Sequence, residues 1–121
     1  MKPEVIKIDE VEYVRKDSVS TKAPCLEGMD YVIVRTYSAG VFAGYLSSRS
    51  GKEVHLLNAR RLWYWDGASS LSQLAMEGVA KPQTCKFPCE VKSISLTEAI
   101  EIIDCTKKAF ESIKAVKIWK Q

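Results

Sequence analysis

The 121-residue sequence has one histidine, no apolar run longer than a handful of residues and no large excess of charge of either sign. Each scarcity narrows the possibilities. His55 stands in the run "EVHLL" with no serine or cysteine nearby in a recognisable nucleophile setting, so a catalytic triad has no visible starting point. No glycine-rich phosphate loop of either standard pattern occurs. Runs such as Tyr31–Val34 are too short to cross a membrane, and the early segment lacks the apolar stretch of a signal peptide. The expectation is a protein that stays in the cytoplasm where it is made. A formal net charge of +3 is far from the footprint of a duplex-DNA binder. It is compatible with a small anionic ligand.

Four cysteines are present. Cys25, Cys85, Cys89 and Cys105 are expected to stay reduced and to pack as small apolar residues. "CKFPC" has three intervening residues, and only His55, Cys25 and Cys105 could complete a zinc site with it. No metal site and no cofactor are expected.

Hydrophobic residues at 46% and charged residues at 27% describe a globular chain with room for one core. Residues 1–27 are charged and only weakly periodic, with a candidate strand at Glu12 to Arg15. They read as an N-terminal arm, and residues 28–121 as a single ligand-binding domain. "YVIVRTY" alternates as a strand covered on both faces. Val41 to Leu46 and Glu53 to Leu57 read as strands joined by "SSRSGK", a hairpin loop containing Gly51. Gly40 and Gly44 suggest a bulge or a close backbone approach. The tail "CEVKSISLTEAIEII" reads as one or two strands, with Ile94, Leu96, Ile100, Ile102 and Ile103 as core candidates. "DCTKKAFESIKA" reads as a helix capped by Asp104 or Thr106, and "VKIW" as a closing strand. The fold class is α+β: a mainly antiparallel sheet in the N-terminal and central part, with two short C-terminal helices.

The densest chemistry lies in "LNARRLWYWDGASSLSQLAMEG". As a strand, "ARRLWYW" puts Arg60, Leu62 and Tyr64 on one face and Arg61, Trp63 and Trp65 on the other. After Asp66-Gly67, Ser70 and Gln73 have capping-box spacing before a short helix that Gly78 stops. The parts of a nucleotide pocket are here: guanidinium groups for phosphate, flat faces for a base (Trp63, Tyr64, Trp65 and Tyr37), and serine hydroxyls at a helix start. The same residues also suit plainer roles. Tryptophans in alternating strand positions often form core or interface, arginines beside them often only lay their stems on apolar surface, and such serines are often only caps.

The run "YVIVRTYSAGVFAGYLSSRSGKEVHLLNARRLWYWDGASSLSQLAMEG", with "CKFPCEV", "LTEAIEII" and the final "IW", resembles a family of small phage and prophage proteins related to the Thoeris anti-defence sponge. The resemblance covers roughly residues 10 to 121. It implies a protein that is not an enzyme and captures, without cleaving it, the cyclic ADP-ribose isomer made by bacterial TIR-domain proteins in the host cytoplasm. It further implies dimers that associate into hexamers, ligand pockets at the subunit interface, and in some members a separate site for cyclic oligonucleotides. For such a ligand the candidate residues are Arg35 and Arg60 or Arg61 for the diphosphate. Trp63, Trp65 or Phe87 are candidates for the adenine face, with Tyr37 as a further platform, and Ser69, Ser70 and Gln73 for phosphate or ribose. Arg35 could equally stack on Tyr31 and Tyr37 at an exposed face. Two other classes suit the aromatic strand: a module that blocks a host protein, and a single-stranded nucleic-acid binder, whose affinity would fall steeply with salt.

Overall fold

Five strands form one antiparallel sheet in the computed structural model, which describes residues 22–120. They are β1 (Tyr31–Thr36), β2 (Val41–Ser50), β3 (Glu53–Arg61), β4 (Glu90–Leu96) and β5 (Ala99–Asp104), in the spatial order β4-β3-β2-β1-β5. Helix α1 (Leu71–Glu77) and a single 3-10 turn (Pro82–Thr84) lie between β3 and β4, and α2 (Lys107–Ala115) follows β5. The class is α+β. The first helix lies mid-chain rather than at the C-terminus.

The strand order forces a curved sheet. β4 and β5 occupy opposite edges, yet only Thr97 and Glu98 join them. Three steps of chain reach about 11 Å at most, whereas the outer strands of a flat five-stranded sheet lie about 19 Å apart. The sheet therefore coils until its edges converge at this end. There the Ala99 amide donates to Lys52 O at 3.0 Å and the Tyr37 amide to Glu98 O at 2.9 Å.

Coiling gives the strand alternation two separate cores. Val32, Val34, Phe42, Val54, Leu56, Ala59 and Leu96 pack together inside the coil. Tyr31, Ile33, Ala43 and Tyr45 point the other way, against Leu74, Ala75, Ala109 and Ile113 of the helices. This is why β1 reads as apolar on both faces. The tight curvature uses small residues: a Cβ on Gly44 would lie 2.9 Å from Ala59 Cα across the sheet. The β2–β3 register shifts beside this point, where Asn58 takes φ 49°, so the expected bulge is present.

Several local expectations need correction. The domain begins earlier than residue 28, because Ala23 is buried and its amide donates to Cys105 O at 3.1 Å. The candidate strand at Glu12 to Arg15 lies outside the described residues. β3 ends at Arg61; beyond it Tyr64 makes one isolated bridge to Lys86, and "VKIW" contributes one bridge, Phe87 to Ile118. Ile100 is exposed on the edge strand β5, while Leu96 is buried and Ile94, Ile102 and Ile103 are half-buried. Thr106, not Asp104, caps α2, its hydroxyl accepting from the Ala109 amide at 3.1 Å.

All four cysteines are free, and only Cys85 and Cys105 are buried. Burial pushes the Cys105 thiol up to about 12. A hydrogen bond to Asp30 raises that of exposed Cys25. A thiol-disulfide reagent on the folded protein is expected to count two reactive groups, and four after denaturation. Four in the native state would contradict this packing.

Candidate functional site

Where β3 ends, the chain leaves the sheet and crosses one end of it, and the three tryptophans of the sequence meet there. Trp63, Trp65 and Trp119 line a groove of about 640 Å³ with Arg61, Pro88 and the Ser38–Val41 loop. The size is that of a small-molecule site. Trp63 is 61% exposed. It meets Trp119 edge to face, with centroids 4.8 Å apart and planes at 76°. Trp119 is placed by its own backbone, whose amide donates to Phe87 O at 3.0 Å next to the Phe87–Ile118 bridge. Lys86 brings a second cation to this rim, 5.7 Å from the Trp119 ring and 6.0 Å from Tyr64.

Opposite the tryptophans, the loop between β1 and β2 forms the other wall. Thr36 holds it closed: its hydroxyl donates to Gly40 O at 2.7 Å and accepts from the Ala39 amide at 3.0 Å. Gly40 has φ 100°, a conformation that favours glycine, and a Cβ there would meet nothing within 4 Å. The loop therefore presents backbone and the Ser38 hydroxyl, which donates to Glu98 at 2.7 Å, with no bulky side chain over the groove.

Arg60 and Arg61, adjacent in sequence, have opposite fates because strand alternation sends them to opposite faces. Arg61 is exposed, and its guanidinium carbon lies 4.7 Å from the Phe42 ring centroid. Among the described residues it makes no hydrogen bond or ion pair, and it lines the groove. Arg60 is 3% exposed. It donates to Pro88 O at 2.8 Å, Ile113 O at 2.7 Å, Phe87 O at 3.0 Å and Val116 O at 2.7 Å. The assignment of Arg60 to a diphosphate is therefore corrected: its fork ties α2 to the sheet. Phe87, fully buried beneath the Arg60 guanidinium at 5.4 Å, is corrected likewise. It supports the floor of the groove and offers no face to a base.

The remaining candidates lie elsewhere. Arg35 donates to Glu101 at 2.9 Å on the sheet surface. Tyr37, 78% exposed, borders a separate hollow with Lys52, Glu98 and Ile100. Ser69, Ser70 and Gln73 satisfy one another. The Ser69 amide and hydroxyl both donate to Gln73 Oε1, and Ser70 Oγ accepts from the Gln73 amide at 3.1 Å. They cap α1 and do not line the groove. Of the sequence candidates, the structure brings together Arg61, Trp63 and Trp65.

Residues 29–113 match the model of a family described as Domain of unknown function (DUF6948). The chain belongs to this family. No curated protein and no solved structure matches it. The segment matched by the DUF6948 model contains Arg61, Trp63, Trp65 and the Ser38–Val41 loop, and it ends before Trp119.

Two further features of the chain are not apparent when it is read in order. Trp119 joins the groove from 56 positions away, signalled only by the final "IW". His55 pairs across strands with Ser95, its Nδ1 3.0 Å from the hydroxyl, in a shallow polar hollow of about 340 Å³. Among the described residues no carboxylate hydrogen-bonds this ring, so the pair lacks the third member that would orient a base. No group of three or more metal-ligating side chains occurs among them, and no described helix is long and apolar enough to cross a membrane.

Proposed function

We propose that the protein binds a small anionic nucleotide in the tryptophan groove, and that the ligand is a cyclic ADP-ribose-type signal captured intact. The observation that carries this reading is the convergence of three tryptophans on Arg61, whose guanidinium has no hydrogen-bond partner among the described residues. Indole faces stack on a base, at about 1–3 kcal/mol per base, and a guanidinium takes phosphate through paired hydrogen bonds. The lining offers stacking and charge, which suits retention rather than bond cleavage. The choice of cyclic ADP-ribose rests on the sequence resemblance to the phage sponges. Sequestration on their pattern requires tight binding, and a nanomolar dissociation constant corresponds to about 12 kcal/mol.

Calorimetric titration with cyclic ADP-ribose isomers tests the reading, followed by heating and recovery of the ligand. Nanomolar binding with intact release is expected. Arg61→Met should weaken it by about tenfold to a hundredfold, the range of hydrogen bonds to charged groups, and leave thermal stability within 1 kcal/mol. Unchanged affinity in Arg61→Met and Trp63→Ala together would remove the groove from the site. A second reading draws on the exposure of Trp63, Tyr64 and Ile118: a surface that docks on a host protein. It becomes the better account if no nucleotide binds.

A further inference from the structure

Behind Arg61 the coiled sheet has an open seam. Among the described residues β4 is paired on one side only, with β3, and beside its first residues Phe42, Ala59, Cys89, Val91 and Ile94 wall an apolar pouch of about 260 Å³. Arg61 and Pro88 belong to the walls of both the pouch and the tryptophan groove. The guanidinium thus stands at the junction of two cavities, positioned by the Phe42 ring.

We infer that the site is bipartite: phosphate held at Arg61 carries one ring into the tryptophan groove and a second into the pouch. The ligand class is then a phosphate-bridged pair of ring groups, not a mononucleotide. The inference rests on the proposed nucleotide site and extends it to a cavity beyond the tryptophans. A diphosphate leaves through ester oxygens at its two ends, and a planar guanidinium bound to it leaves both ends free. The pouch has the polarity for the second ring's flat, carbon-rich surface. Its walls offer few partners for hydroxyl groups, so an aromatic second ring should bind there more tightly than the second ribose of cyclic ADP-ribose.

The full chain is titrated calorimetrically with ADP, which carries one ring group on its diphosphate, and with diadenosine diphosphate, which carries two. Diadenosine diphosphate is expected to bind about tenfold to a hundredfold tighter, the scale of burying one ring, although it carries less charge. Val91→Trp places an indole in the pouch from an exposed edge-strand position. It should bring diadenosine diphosphate down to the ADP level and leave ADP unchanged. Alkylation of Cys89 with N-ethylmaleimide in a Cys25→Ser background should do the same without altering the strand. Diadenosine diphosphate should also slow that alkylation, and ADP should not. Equal affinities for the two probes, insensitive to both blocks, would overturn the second subsite while leaving the groove intact. Failure of both probes and of cyclic ADP-ribose to bind would overturn the groove and the subsite together.

Discussion

Arg60→Met is expected to cost about 3–5 kcal/mol of stability, the range for breaking a buried, fully engaged charged group. Four carbonyl oxygens lose the guanidinium at once, and only Phe87 O and Ile113 O keep a backbone donor, from Trp119 and Val116. Two of the four, Ile113 O and Val116 O, lie at the C-terminal end of α2, where the dipole end is negative and the last carbonyls lack i+4 amide partners. Burial pulls the Arg60 pKa below the ordinary arginine value, but a guanidinium is basic enough to remain charged. Lysine cannot substitute, since one ammonium on a flexible stem cannot reach carbonyls on two sides of the site. Urea unfolding of Arg60→Met and Arg60→Lys measures this. A loss below 1 kcal/mol in both would show that the clamp contributes little.

Gly78→Ala should also be strongly damaging, at about 3 kcal/mol or more. Gly78 ends α1 with φ 78° and ψ −155°, a region open essentially to glycine. Any Cβ there would also sit 2.3 Å from Ser112 Cβ on α2. Strain and overlap each cost about 1–3 kcal/mol. Ser112 cannot turn away without loss, because its hydroxyl accepts from the Val79 amide at 3.0 Å. Gly51→Ala is the comparison: φ is 59° but nothing lies within 4 Å, so only the backbone term remains, about 1–2 kcal/mol. Equal losses in the two variants would show that the contact between α1 and α2 is looser than these positions imply.

Local signals in the sequence translated well into structure. The alternation of "YVIVRTY", Gly51 in the hairpin, Ser70 as the cap of α1 and Gly78 as its stop all act over a few residues, and each appears where expected, whereas the Gln73 side chain takes the Ser69 amide and not that of Ser70. The strand order was not legible, because nothing in "SLTEA" announces that a two-residue link joins opposite edges of the sheet. Alternation separated Arg60 from Arg61 but could not say which side would be buried. That choice depends on α2 arriving more than fifty residues later with the carbonyls of its C-terminal end. Phe87 failed for a related reason: it reads as an aromatic available to a base until Arg60 and the C-terminal segment cover it. The aromatic cluster itself was visible, and its third member was hidden by distance along the chain.

That distance constrains how the protein can be divided. β1 pairs with β5 across some seventy residues, Arg60 reaches α2, and Trp63 meets Trp119. Long closures of this kind carry an entropy cost that local segments cannot offset alone. The β2–β3 hairpin can pair early, but a hairpin by itself is marginal in water. The groove accordingly belongs to the last stage of assembly. A fragment that ends between β3 and α2 keeps Arg61 in its sequence and lacks Trp119 to complete the groove, so cleavage within that span should abolish binding instead of releasing a smaller active piece.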